Sequence, residues 1–156
     1  MAITQAMTTS FKAEILLAVH DFRNTGGDTF KLALYTSSAS IDANTTAYTA
    51  TNESTGTNYT AGGAALTNGG VTATNTNASA GTGFTTFSNL TFTNATVTAR
   101  GALIYNTTPS ANGTANTTLT NASVAVLDFG SDKTSTAGDF TIIYQKQLID
   151  HMSLRI

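Results

Sequence analysis

The sequence predicts a mainly β protein, an antiparallel β-sandwich or barrel with one N-terminal amphipathic α-helix, in a single domain over residues 1–156. Three observations predict it. Several short stretches alternate apolar and polar residues with the period of two that a strand requires. Gly/Asn/Thr/Ser-rich segments separate them at short intervals, as in sandwiches and barrels. Only the first segment carries a helical period. A chain of 156 residues suits one domain and can bury a core without covalent staples.

The helix is expected over about 4–22. Ile3, Met7, Phe11, Ile15, Ala18, Val19 and Phe22 recur at steps of three and four, which places them on one face. The run from Thr25 through Gly26 and Gly27 to Asp28 is expected to stop it, because glycine readily takes a left-handed conformation. A strand over 29–36 follows, with Phe30, Leu32 and Leu34 alternating with Lys31, Ala33 and Tyr35 in the pattern of a half-buried strand. Further strands are expected at about 45–50, 59–66, 84–93, 96–105, 123–129 and 139–144. Gly62 and Gly63 mark a bend or bulge in the 59–66 strand, and Gly101 falls inside the 96–105 strand. The run from Ser123 to Phe129 is the most apolar, so it is expected at the centre of the sheet. Met152 to Ile156 is expected to close an edge. Residues 67–83 and 106–121 are low in complexity. Threonine favours strands, and long structureless loops are uncommon in compact domains, so exposed hairpins or arms are expected in both.

Charge is scarce. Asp, Glu, Lys and Arg make up 10% of the chain and the net charge is -2, against about 25% charged residues in an ordinary soluble domain. Threonine and asparagine carry the polar surface instead, which suits a chain that works inside an assembly. No basic patch offers a footprint for nucleic acid. The absence of cysteine removes disulfides, thiolate nucleophiles and cysteine zinc sites from consideration. The longest apolar run, Ile15 to Val19, is too short to cross a membrane. The first residues lack the charged and apolar regions of a signal peptide, so synthesis in the cytoplasm is expected.

A search for chemistry returns little. His20 and His151 have no partner at ligand spacing. His20 is expected near the helix C-terminus, where a partly positive imidazole suits the dipole. His151 lies beside Asp150 and close to Lys146. Asp128-Phe129-Gly130 reads as a strand ending in a turn. It lacks the glycine-rich loop and lysine that would make it part of a kinase. Asp128, Asp132 and Asp139 flank a Ser/Thr/Gly loop and offer oxygen ligands, but their spacing is not that of a calcium loop, and turn-capping aspartates are expected. Gly62-Gly63 and Gly69-Gly70 are not followed by the Lys-Ser/Thr of a phosphate loop. Asn44, Asn58, Asn89, Asn94 and Asn116 each begin an Asn-x-Ser/Thr sequence, as an Asn/Thr-rich composition makes inevitable. Tyr35, Tyr105 and Tyr144 are expected to pack on the sheet with hydroxyls at its edge, and Arg100 is a candidate contact residue. No catalytic, cofactor-binding or metal-binding residue is assigned.

Five stretches carry a resemblance. They are Met1 to Met7 (MAITQAM) with Ser10-Phe11-Lys12, Gly27 to Ser38 (GDTFKLALYTSS), Tyr59 to Gly63 (YTAGG), Thr98 to Asn106 (TARGALIYN), and Val124 to Lys133 (VAVLDFGSDK) running into Ala137 to Thr141 (AGDFT). Together they resemble a family of small, mostly uncharacterised virion-type proteins of tailed bacteriophages and prophages, from the first residue to about Ile142. The Asn/Thr-rich insert around Ala111 to Asn121 is longer than in that family, and Tyr144 to Ile156 is more charged. The resemblance implies a structural virion protein. A capsid decoration or cement protein is expected first, acting as a homo-oligomer such as a trimer on the major capsid protein. A tail component (tube, adaptor or fibre-associated subunit) is the alternative. A carbohydrate-binding module on the virion surface is a further one, against which the lack of tryptophan counts. No enzyme activity, nucleic acid, membrane or cofactor is expected.

Overall fold

The computed structural model describes residues 2–74, 82–111, 114–115 and 118–144. In chain order it contains β1 (Ala6–Met7), α1 (Thr9–Leu16), β2 (Phe30–Tyr35), β3 (Gly56–Thr57), β4 (Ala64–Ala65), β5 (Asn68–Thr74), β6 (Thr82–Phe87), β7 (Leu90–Asn106), β8 (Ser110–Ala111), β9 (Thr114–Ala115) and β10 (Ala122–Ile142). The fold is mainly β, antiparallel and sandwich-like, with one short N-terminal helix. The main sheet runs β1-β10-β7-β2-β4, and β3 also pairs with β7. Two hairpins, β5–β6 and β8–β9, stand apart from it. β5 and the β8–β9 hairpin fall in the two low-complexity segments where hairpins are expected, whereas β6 lies mostly in the expected 84–93 strand.

The centre is β7, flanked by β2 on one side and β10 on the other. The register sets Phe30 opposite Asn106 and Tyr35 opposite Gly101. The period of two then divides the side chains. Phe30, Leu32, Leu34, Ala102 and Ile104 enter one core cluster, while Ala33, Tyr35, Leu103 and Tyr105 enter a second. The expectation of a half-buried β2 is corrected: all its residues except Lys31 are buried, because both faces of the sheet are covered. The Ser123–Phe129 run belongs to β10, beside β7 rather than in its place.

β7 and β10 form one long ribbon, in which the expected strands 96–105, 123–129 and 139–144 merge. The expected strand 84–93 is instead divided, because Ser88 and Asn89 separate β6 from β7. The register shifts between Asp128 and Lys133, again between Ser135 and Gly138, and again between Gly138 and Phe140. The Asp128-Phe129-Gly130 triplet therefore sits at a bulge in a continuing strand. Gly130 takes φ 76° there, and its N–H donates to Asp128 Oδ1 at 2.8 Å. Bulges bend a ribbon, and Phe92, Phe140 and Ile142 from its far half join the same cluster as Leu32 and Leu34. The second cluster is closed by Ile3, Ala39 and Ile41 from the N-terminal segment and the loop after β2.

The helix is shorter than expected. Thr8 is its N-cap residue but makes no side-chain cap. Its hydroxyl instead donates to the Ser123 and Val124 carbonyls. At the other end Ala18 adopts φ 56°, Ala18 N–H bonds Ile15 O and Val19 N–H bonds Glu14 O. These two bonds form a Schellman stop, ten residues before Asp28. Of the predicted helical face, Phe11 and Ile15 lie on the helix, Ile3 and Met7 precede it, and Val19 and Phe22 follow it. Phe11 and Ile15 from the helix, and Ile3, Met7 and Phe22 from the non-helical backbone around it, still join the cores, and Val19 is buried as well. The expected strand at 45–50 is a single bridge, Ala47 to Ala122, with Tyr48 N–H on Asn121 O beside it. The expected 59–66 strand is reduced to Ala64–Ala65, because Gly62 and Gly63 turn the chain at φ 86° and 65°. A Cβ at Gly63 would stand 1.7 Å from Leu32 O, so only glycine admits this approach. Residues 152–156 lie outside the described residues.

Leu103 is wholly buried and Leu127 only partly. Leu103→Ala should lower stability by about 2–5 kcal/mol, and Leu127→Ala by clearly less. A urea melt checks this, and an equal or larger loss at Leu127 would contradict the assigned register.

Candidate functional site

Two buried polar clusters concentrate the chemistry of the described residues. The first centres on Glu53, which the loop after β2 places over the sheet, bridged to Tyr35. Glu53 is 8% exposed. Its Oε1 accepts from Tyr59 Oη at 2.7 Å and from Gly62 N–H at 2.7 Å, and its Oε2 accepts from Tyr48 Oη at 2.6 Å. Bonds to an ionised acceptor are stronger than neutral ones, and three of them offset the loss of water around the carboxylate. The network continues outward. Tyr59 Oη accepts Leu34 N–H at 2.8 Å, and Tyr105 Oη donates to Gly62 O at 2.7 Å. Tyr35 Oη donates to Thr49 O at 2.5 Å, and Tyr48 stacks on Tyr105 at 4.8 Å. Both carboxylate oxygens are occupied, so the cluster ties residues 48–62 to the sheet and leaves no free base.

The second cluster lies where α1, β2 and the end of β7 meet. Asp28 Oδ2 accepts from Asn106 Nδ2 at 2.7 Å and from Asp21 N–H at 2.9 Å, and its Oδ1 accepts from Ser110 Oγ at 2.5 Å. Asn106 Oδ1 accepts Thr108 N–H at 3.0 Å. An acceptor on one side and a donor on the other fix the orientation of the amide. Asn106 Nδ2 therefore also donates to His20 Nδ1 at 2.9 Å, which places the ring proton on Nε2, facing Glu14 Oε2 at 2.7 Å. The expectation of His20 at a helix C-terminus is corrected. The helix stops at Leu16, and the imidazole turns inward with its side chain 0% exposed, edge-on to Phe11 at 4.9 Å. Both ring nitrogens are engaged, and Ser110 Oγ is committed to Asp28. Neither is positioned as a nucleophile–base pair.

The remaining sequence candidates are dispersed. Asp128 pairs with Arg100 at 3.0 Å, which gives that arginine an intramolecular partner. Asp139 Oδ1 accepts Asn94 N–H at 3.0 Å. Asp139 thus bonds backbone across β7 and β10 rather than capping a local turn. Among the described residues no group of three or more His, Asp or Glu side chains is placed to hold a metal. The expected edge position of the tyrosine hydroxyls is corrected for Tyr35 and Tyr105, which are buried in the second core with their hydroxyls bonded to loop carbonyls. Tyr144 packs on Phe87 at 5.8 Å. His151, Asp150 and Lys146 lie outside the described residues. Glu53, Asp28 and Asn106, which organise both clusters, carry no local motif. Their only sequence signal is a lone carboxylate or amide among Thr, Ser and Gly.

No protein-family model matches the chain, and comparison with curated proteins and with solved structures finds no match.

All five tyrosines are shifted upward. Burial is the largest cause in each, and the Glu53 charge adds to it at Tyr35, Tyr48, Tyr59 and Tyr105. Tyr105 is pushed up to about 12, and the others further. An unfolded tyrosine titrates near 10. A raised folded value means the native state holds its protons more tightly. The contribution to stability is therefore complete below pH 10 and is lost as pH rises from there through the folded values. Tyrosinate absorbance should stay low just above pH 10 and then rise together with the loss of circular dichroism. Early ionisation of several tyrosines in a folded chain would contradict these environments.

Proposed function

We propose that the protein is a structural component of a virus particle, a capsid decoration protein that stabilises the head of a tailed bacteriophage. The observation that carries this proposal is the resemblance of five stretches, from Met1 to about Ile142, to virion-type phage proteins. The geometry supports it in two ways. The buried carboxylates and His20 are consumed in internal ties that lock loops to a sheet, as a rigid building block requires. Beyond Val126, moreover, no strand among the described residues covers the outer edge of β10. An uncovered edge can take a strand from a neighbouring subunit. The exposed Thr-rich surface of the ribbon, with Thr91 bonded to Thr141 and Thr98 to Thr134, can bond a neighbour without burying unpaired charge.

The protein then acts mechanically. A homo-oligomer, a trimer on this proposal, sits on the outer shell and bridges major capsid subunits, each stable contact burying more than about 1,000 Å². It performs no catalysis and uses no cofactor. Counting copies per purified particle against the major capsid protein tests the proposal. One copy per capsid subunit, or a simple fraction such as one third, is expected. A few copies to some tens would point to a tail component instead, and absence from the particle would overturn both.

A further inference from the structure

We infer that the outer edge of β5, at residues 71–74, pairs with the same edge of a second copy across a two-fold axis at Thr72, so that two β5–β6 hairpins join into one sheet. Among the described residues β5 pairs only with β6, and neither strand belongs to the main sheet. An isolated two-stranded hairpin is marginal in water and needs further strands to be stable. The base of β5 is anchored on its own chain. Asn68 Nδ2 donates to the Phe22 carbonyl at 3.0 Å, and a Cβ at Gly70 would stand 3.4 Å from Asn24 Cβ. Past that point nothing covers the strand. Val71 is 66% exposed, and Thr72 and Ala73 are exposed as well, so both of its faces meet solvent.

Charge names the occupant. Pairing across a two-fold axis sets each residue close to its own counterpart, and like charges placed opposite one another repel. Sheets guard their open edges with charged side chains, proline or bulges. The open edge of β10 is guarded: Asp128, Asp132, Lys133 and Asp139 lie along it, and its register shifts three times beyond Leu127. It suits a partner of different sequence. β5 has no such guard at its exposed end. Residues 54–99 contain no Asp, Glu, Lys, Arg, His or Pro, and from Val71 to Thr74 the strand runs in regular register with Thr85 to Thr82. A two-fold axis at Thr72 sets that residue opposite its counterpart and Val71 opposite Ala73. The period of two puts Val71 and Ala73 on one face and Thr72 on the other. Apolar side chains thus meet apolar ones and hydroxyl meets hydroxyl, as in the cross-strand pairs that stabilise antiparallel sheets. On the virion reading this contact joins one oligomer to the next, but it belongs to the free protein and is tested apart from the copy count.

The chain has no cysteine, so single cysteines in the full-length protein report the pairing without background. Thr72→Cys should form a disulfide-linked dimer under oxidised glutathione, because directly opposed side chains of an antiparallel pair lie within bridging reach. Thr93→Cys, exposed on β7 away from this edge, should cross-link about tenfold more slowly or less, lacking a held partner. Sedimentation of the unmodified protein should show association between copies. Thr72→Lys, which sets two ammonium groups opposite each other, should weaken it by about tenfold or more. Thr72 is exposed, and circular dichroism checks that each variant folds. Should Thr72→Lys fail to fold, Thr72→Glu repeats the comparison. Equal cross-linking at positions 72 and 93, or association unchanged in a folded charged variant, would overturn the inference. So would an unmodified protein that stays monomeric up to its highest soluble concentration.

Discussion

Hydrogen-bonding Phe30–Tyr35 to Gly101–Asn106 puts both faces of the same two strands out of water. That constraint organises the remainder. An ordinary antiparallel sheet can leave one face to solvent. Here each face is apolar, so each needs its own cover. On one side the cover is α1, Phe22, Phe87 and the far half of the ribbon. On the other it is the N-terminal segment with Ile3 and the loop carrying Ala39, Ile41 and Tyr48. Most of those covering pieces are irregular backbone, which cannot hold itself in place with strand hydrogen bonds.

The two polar clusters supply the missing ties. Glu53 gathers Tyr48, Tyr59 and Gly62, and the hydroxyls of Tyr59 and Tyr105 connect this knot to the backbone at Leu34 and Gly62. Asp28 gathers Asp21, Asn106 and Ser110, while His20 joins Asn106 to Glu14. In each cluster a single carboxylate accepts three donors and so ties two stretches of chain together. A chain with few charges thus uses two of its carboxylates as internal fasteners, in settings where an unmet donor is costly. The same economy leaves the exposed surface largely to hydroxyls and amides.

The period of two made β2 legible, and the expected stretches at 84–93 and 96–105 located β6 and β7. What failed did so for identifiable reasons. The helix ended early because Ala18 enters the left-handed region, a conformation that its helix-favouring side chain does not advertise. Gly130 and the Ser/Thr/Gly run after it read as a turn and a loop, yet β7 continues opposite them, so the chain bulges and carries on. Double-sided burial of β2 was hidden because Ala33 and Tyr35 look tolerant of solvent. Glu53 could not be singled out, since a carboxylate in a Thr/Ser/Asn loop is unremarkable until the loop is laid over a sheet. His20 was misplaced with the helix that was expected to carry it.

Residue-resolved hydrogen–deuterium exchange tests the central dependence on the β2–β7 register most directly. Amides of Leu32–Leu34 and Ala102–Ile104 should exchange only through global unfolding. Those of Thr134–Asp139, on the bulged half of the ribbon, should exchange at least about a hundredfold faster through local opening. Equal or greater protection in Thr134–Asp139 would contradict the placement of the stabilising core in the doubly buried strands.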